Sequence, residues 1–469
     1  MRFGNIRDIL QGSAGLFSPA VFEGQGLKSL IWTALDETDK WHKRQCVLQA
    51  PLVFCGVLAM TIFRPLSIVN AFNRVLDAAR GDANVPLRGI TDEAIYHARA
   101  RLTAAPFQSV ALAVANRIEA EPSFLGFIPC AMDAVKLTIP DTPENEAKYG
   151  RPSSSRGSTA FPQIGATALL QVDTRMVVDC VWGRHNLSEL EAAEQLLRNL
   201  GPKHVLFLDR RYTKVDLWFH IVERGVHIVH RLSRVYDIKR TTRLGEGDWL
   251  VEIEHQVEIP PGERKKGQRW RWVSRPMRVI EYQVEGGERV QLLTDLLDPS
   301  VYPAREIALG YHLRWEIEIA YDEWQTHLAT VCHGTQHTTF RSQTPEGVLQ
   351  EAWALVATYN LVRGLMLEAG EVHDVPPLEI SFVDTLEVIR MALPRLQACP
   401  TQRQRRTLYH RTLRDIADCR LDRPRRKRYA PRVVKVKMSK FKCKRKGDRS
   451  VHRDFASTLK LVDTAEVAA

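Results

Sequence analysis

Between residues 124 and 232 the hydrophobic period of the chain changes in a fixed order, and that order restricts the fold more than any other feature. The stretches FIPCAMDAVKLTIPD, GATALLQVDT and RMVVDCVWG are apolar, rich in β-branched residues and separated by Gly, Pro and Ser clusters, which predicts three successive strands. A helix follows. Ser188 and Glu191 form a capping box ahead of LEAAEQLLRNL, and Gly201-Pro202 stops it. HVLFLDRRY then reads as a buried strand with a polar end, KVDLWFHIVERG as a helix and VHIVHRL as a strand. Three antiparallel strands continued by helix, strand, helix, strand predict an α/β domain.

The flanks differ. Residues 1–120 read as helical, with Thr91 capping DEAIYHARARL and placing Arg99 and Arg101 near a C-terminal end where cations suit the helix dipole. Two short helices around a turn, followed by AAPFQSVALAVANRI, fit either a helix-turn-helix reader or a plain helical bundle. The longest apolar run, residues 47–63, is interrupted by Gln49, Pro51, Gly56 and Thr61; it falls short of the roughly 20 residues of a membrane span and is expected to be a buried helix. Residues 244–295 alternate as strands: Val251, Ile253, Val257 and Ile259 against Glu252, Glu254, Gln256 and Glu258, a Pro260-Pro261-Gly262 turn, then RWRW and Ile280, Tyr282 and Val284. This predicts an antiparallel β insert. Helix returns at 304–328 and 344–366.

Charge separates the C-terminal end from the rest. The net charge is +11, yet residues 403–453 hold 21 basic and 4 acidic side chains. The basicity therefore belongs to one segment, including Tyr409, Arg425 to Arg428 and the run 435–449, for which nonspecific DNA contact is expected. Eight scattered cysteines with no CxxC pair fit a reducing compartment, and a cytoplasmic, nucleoid-associated location with no membrane partner is expected.

Asp133 lies in the middle of the first strand and Asp209 at the polar end of VLFL. A carboxylate in such a place must be solvated, paired or on a metal, because burying it alone is costly. On a helix over 304–328, at 100° per residue, Tyr311, Arg314, Glu318, Asp322 and Gln325 share one polar face, while Leu313, Ile317, Ala320, Trp324 and Leu328 face the core. Spacing alone leaves open a merely solvated face. Three carboxylates drawn from strand, strand and helix would suit magnesium, which takes oxygen ligands, and paired ions serve phosphodiester displacement.

The segments MDAVKLTIPDTPENEAKYG, GSTAFPQ, VLFLDRRY, YHLRWEIEIAYDEWQ and RSQTPEGVLQEAWALVATYNLVR, in this order, resemble the DDE transposases of the bacterial insertion-sequence-4 group. The resemblance implies an RNase H-like catalytic core interrupted by the antiparallel β insert, with an N-terminal helical domain and a basic C-terminal region. In those terms the helical domain, 1–120, binds DNA ends; the core comprises 121–243 and 296–370 around the insert at 244–295; and 371–469 is helical and basic. Catalytic and metal-binding roles fall on Asp133, Asp209 and Glu318, with two Mg2+ ions for which Mn2+ substitutes. Tyr311 and Arg314 match the signature of the Glu helix, but Gln325 stands at the signature Lys and Ala134 at the usual Gly.

The activity implied is cut-and-paste transposition, with the second strand cut through a hairpin, on double-stranded terminal repeats held in a homodimer or larger synapse. DNA contacts are expected at Tyr311, Arg314, Gln325, Arg210, Arg269, Arg271, Trp270 and Trp272, with Trp249 and Lys265-Lys266 as further candidates in the insert. The tryptophans equally fit the insert's own packing. His327, Cys332, His333 and His337 match no standard zinc spacing. Rival functions are a catalytically inactive DNA-binding relative and an RNase H-like nuclease or resolvase without strand transfer.

Overall fold

The computed structural model describes residues 20–22, 24–41, 48–80, 90–154, 157–233, 238–259, 261–265, 269–285, 287–329 and 338–422, and in the tail 428–429, 433–434, 442–443 and 453–463. Among the described residues, a 3-10 turn (Ala20–Phe22) is followed by five α-helices before the first strand: α1 (Leu27–Glu37), α2 (Ala50–Ile62), α3 (Ile68–Arg80), α4 (Asp92–Leu102) and α5 (Ala105–Asn116). Helix α2 is the long apolar run, and every one of its 13 residues is buried. At 1.5 Å per residue it is about 20 Å long, and Phe54 stacks on Phe107 of α5 with ring centroids 4.2 Å apart. Among the described residues no helix is long and apolar enough to cross a membrane.

In α5, Pro106, Phe107, Val110, Ala111, Val114 and Ala115 are buried, while Ala105 and Asn116 are exposed and Ser109 and Leu112 half-buried on the opposite face. Arg99, expected to sit at the helix end for its dipole, turns inward. Its guanidinium donates to Gln350 Oε1 and Ser342 Oγ, both at 2.8 Å, which joins the N-terminal helices to the rest of the molecule.

The central sheet begins as the sequence order requires: β1 (Ile128–Thr138), β2 (Gln163–Gln171), β3 (Val177–Arg184), β4 (His204–Leu208) and β5 (His227–Arg231), arranged β3-β2-β1-β4-β5. The first three strands are antiparallel, and β1, β4 and β5 run parallel. The helices α6 (Pro143–Tyr149), α7 (Glu189–Leu196) and α8 (Val215–Glu223) connect them, α7 starting where the Ser188 hydroxyl accepts from the Glu191 amide. This is the expected RNase H-like core. The insert comprises β6 (Lys239–Gly245), β7 (Asp248–Glu258), β8 (Trp270–Val284) and β9 (Arg289–Thr294). Rather than folding apart, it extends the same sheet, with β9 antiparallel to β5 and β8, β7 and β6 following outward. Arg278 of β8, fully buried, forks onto both oxygens of Asp248 and donates to the Leu296 and Tyr302 carbonyls, locking the insert to the core.

Beyond the insert come α9 (Ala304–Tyr311), a 3-10 turn (His312–Arg314), α10 (Trp315–Asp322) and a π-helical stretch (Glu323–Ala329). Helix α11 (Pro345–His373) is 29 residues long and buried along most of its length, with α12 (Phe382–Gln397) and α13 (Gln402–Ala417) against it. One face of the sheet packs on α7 and α8. The other packs on α10 and α11, whose apolar side chains share one core with the N-terminal helices.

Candidate active site

Side-chain alternation decides where the strand aspartates point. Cys130 and Met132 belong to the core under α7 and α8, whereas Ala131 and Leu137 belong to the core under α10 and α11. Asp133 is two residues from Ala131 and so faces α10. On β4 the same parity puts Val205 and Phe207 on that face, and Asp209 follows Phe207 by two. The parallel register pairs Ala131 with Phe207. Continued by two residues, it sets Asp133 beside Asp209 on neighbouring strands, which lie about 4.8 Å apart.

Two tyrosine hydroxyls hold the Glu318 segment over this pair. Tyr321 donates to the backbone carbonyl of Asp133 at 2.5 Å and accepts from the Ala168 amide on β2. Tyr311 donates to the carbonyl of Leu208, the residue before Asp209, at 3.1 Å. Gly310 lets α9 come this close, since a Cβ there would sit 1.9 Å from the Phe124 ring.

The charges then meet at Arg314, which is 7% exposed. Its Nη2 donates to Glu318 Oε1 at 2.8 Å and its Nη1 lies 3.7 Å from Asp133 Oδ2. Burial pushes the Asp133 carboxyl up to about 6; the Ala134 amide and Arg314 act against that, and the carboxylates of Asp209 and Glu318 add to it. Arg314 itself is pulled down by burial, but Tyr311, Glu318 and Asp133 more than compensate and its acidity falls. Asp209 accepts the Arg211 amide at 2.8 Å. Asp133 thus feels the carboxylates of the other two expected residues, Asp209 and Glu318. Among the described residues no three acidic, imidazole or thiol groups stand close enough to cage an ion as arranged; the positive charge at the spot is the guanidinium. The donor chemistry, oxygen-only and mutually repelling, is that of a hard divalent cation.

The expected polar stripe holds only in part. Tyr311 is 6% exposed, with its hydroxyl donating to the Leu208 carbonyl. Glu316 and Glu323, unremarked in the sequence, are buried. Arg175, at φ 55 in the β2–β3 turn, binds Glu316 Oε2 at 2.5 Å and Glu323 Oε1 at 3.2 Å. Arg363 and the Tyr359 hydroxyl of α11 bind the other oxygen of Glu323. Gln325 is half-buried in the π stretch and Asp322 is exposed.

Sequence reasoning also passed over Trp315. It is 48% exposed beside Arg314, whose guanidinium lies 5.3 Å from the ring centre. Arg210 is exposed next to Asp209 and lines a cavity of about 460 Å³ with Arg231, Ser233, Arg289 and Gln291. In the insert, Trp270 and Trp272 are 47% and 66% exposed, so they do not fill its sheet. Trp249 does pack, between Arg240 and Arg243. At 3.4 Å per residue Trp272 lies about 24 Å along β8 from Val279, on an arm where Arg269 is paired with Glu258 at 2.9 Å and Arg271 is exposed.

Tyr409, expected in the phosphate-binding stretch, donates to Glu368 on α11 at 2.6 Å. Lys266, Cys332, His333, His337, Arg425 to Lys427 and most of the run 435–449 lie outside the described residues.

Residues 128–361 match the transposase DDE domain family, and residues 27–110 match the N-terminal family of insertion element 4 transposases. The chain belongs to the DDE transposases of the insertion-sequence-4 group. It is 28% identical over 466 residues to the transposase InsG for insertion sequence element IS4 of Escherichia coli (strain K12), covering 96% of this chain and 100% of that one. A second relative from the same strain, the putative transposase InsZ, is 24% identical over 163 residues, 34% of this chain and 54% of the other. Among solved structures, the piggyBac transposase synaptic complex with hairpin DNA aligns at a TM-score of 0.42 and 12% identity, covering 85% of this chain and 86% of that one. As an insertion-sequence transposase of this family, the protein acts on DNA and depends on divalent metal.

Proposed function

We propose that Asp133, Asp209 and Glu318 are the catalytic carboxylates of a cut-and-paste reaction at the ends of an insertion sequence. The observation that supports this most is the pinning of α10 by Tyr321 to the Asp133 carbonyl, which sets Glu318 and Arg314 over neighbouring strand-borne aspartates. These three side chains would hold two Mg2+ ions, with Mn2+ as substitute. The chemistry supplied by such ions is activation of the attacking oxygen, first water and then the freed 3′-hydroxyl, and neutralisation of the leaving one.

The chain's own groups do the rest. Arg314 is buried, with Nη1 3.7 Å from Asp133 Oδ2, so its guanidinium would act on a phosphate as a positive charge held in the site. Arg210 and the neighbouring cavity suit the backbone next to the scissile bond. The exposed Trp315 ring, adjoining Arg314, is placed to stack on an unpaired base. Arg269, Arg271, Trp270 and Trp272 form a more distant contact on the insert arm, and Gln325 supplies a weaker grip than lysine would. Two ends must be joined, so the working form is a homodimer or larger synapse, on the nucleoid in the cytoplasm, with residues 1–120 and the basic C-terminal region contributing DNA contacts.

The test is magnesium-dependent nicking of a labelled duplex carrying the element end. Asp133→Asn, Asp209→Asn and Glu318→Gln are each expected to lose nicking while keeping DNA affinity. Nicking by any one of them at the wild-type rate would refute the assignment. Loss of strand transfer alone, with nicking intact in the unaltered protein, would favour a nuclease.

A further inference from the structure

We propose that the C-terminal segment 453–463 is a strap that fixes the helix carrying Arg314 and Glu318 against the β insert, with Phe455 and Arg305 as positioning residues for DNA cleavage. The inference rests on the assignment of Glu318 above. The segment lies outside both family-matched regions, 27–110 and 128–361.

At one end the strap grips the beginning of the Glu318 segment. Phe455, 6% exposed, stacks on His312 with ring centroids 3.9 Å apart and planes at 12°. His312 lies in the 3-10 turn, two residues before Arg314. Arg305 of α9 donates to the carbonyls of Leu459 at 3.1 Å and Ala456 at 2.6 Å. At the other end the strap completes the insert. Strand β7 pairs with β8 only as far as Asp248 opposite Ile280. The strap's own strand, β10 (Leu459–Leu461), takes over the same edge, opposite Tyr282, Gln283 and Val284.

Val462 then donates to the Glu281 carbonyl at 3.0 Å and accepts from Arg289 at 3.0 Å, while Asp463 accepts from the Gly247 amide at 2.8 Å and pairs with Arg243. Gly247 sits at φ 62, and a Cβ there would lie 2.4 Å from the Glu281 carbonyl oxygen and 2.9 Å from Val462 N, so the crossing point admits only glycine. The sheet thus reaches the Glu318 segment from two directions. Tyr311 and Tyr321 bind it to the core strands; the strap binds its first turns to the insert. Catalytic groups displaced by about 1 Å lose rate by orders of magnitude, and the strap spans the joint where such a displacement would start.

The experiment uses the full chain and compares single-turnover nicking with binding of the element end by anisotropy. Phe455→Ala is expected to nick about tenfold to a hundredfold more slowly with end affinity unchanged, and Phe455→Trp to restore the rate. The pair His312→Ala with Phe455→Ala is expected to be no slower than Phe455→Ala alone, because both remove one stack. Arg305→Gln, at an exposed side chain, is expected to show the same rate loss and carries the test if Phe455→Ala does not fold. Wild-type nicking by Arg305→Gln or Phe455→Ala, or no rescue by tryptophan, overturns the proposal. Glu318→Gln is run alongside: if it nicks, the active-site assignment has failed; if it is inactive while the strap variants are at full rate, only the strap has.

Discussion

Asp133→Asn is expected to make the metal-free protein more stable while removing cleavage. In the fold the Asp133 carboxyl is raised from 3.8 to about 6, chiefly by burial, against the Ala134 amide and Arg314 and with the help of Asp209 and Glu318. A group raised on folding stabilises the fold fully below its unfolded value and loses that contribution as pH rises through its folded value. At about 1.4 kcal/mol per pH unit, the ionised Asp133 therefore costs the metal-free fold up to about 3 kcal/mol once pH exceeds about 6. Asparagine resembles the neutral carboxyl: its Oδ1 keeps the 2.8 Å bond from the Ala134 amide, and nothing remains to ionise. Denaturant unfolding in a chelator should then show the variant and wild type alike near pH 4 and the variant ahead by up to about 3 kcal/mol near pH 7.5. Added Mg2+ should raise wild type and not the variant. A gain that does not change with pH, or a less stable variant at about pH 7.5, would refute the reasoning.

Glu323→Gln leaves Arg363 buried without its carboxylate and should cost about 3–5 kcal/mol in denaturant unfolding, whereas Glu323→Leu with Arg363→Met, which removes both charges, should recover much of it. A single variant within about 0.5 kcal/mol of wild type would show the buried network to be dispensable. Gln325→Lys restores a cation to the Glu318 segment; it should tighten binding of the element end and steepen the log-log salt dependence by about one, as read by anisotropy across a salt series. An unchanged slope would place position 325 away from phosphate.

The strands and their order were legible because burial on a sheet leaves a period of two that survives any tertiary context, and Asp133 and Asp209 stood out as polar residues where that pattern demands apolar ones. The partnership of the two was not legible, because it depends on the register of β1 with β4, a contact across 76 positions. The buried Arg175 and Arg363 escaped for the same reason: an arginine in a turn or a helix looks like any surface cation until its carboxylate, far along the chain, is placed against it. The strap escaped because eleven residues after a basic run carry no period at all.

The stripe on the Glu318 segment shows why periodicity has a limit even inside one element. A wheel at 100° per residue assumes a uniform helix, but this one tightens to 3-10 geometry at His312–Arg314 and widens to π geometry at Glu323–Ala329, so residues on either side of those steps leave the face assigned to them. The irregularity coincides with the demands of the site. Tyr311 must reach the carbonyl before Asp209, Arg314 must lie between Asp133 and Glu318, Tyr321 must reach the Asp133 carbonyl, and Glu323 must turn away to Arg175 and Arg363. A uniform α-helix repeats every 3.6 residues and offers one line of contact to the sheet. The middle of β1, the end of β4, a hairpin turn and α11 lie on different lines, and the change of helical pitch is what lets a single segment meet all of them.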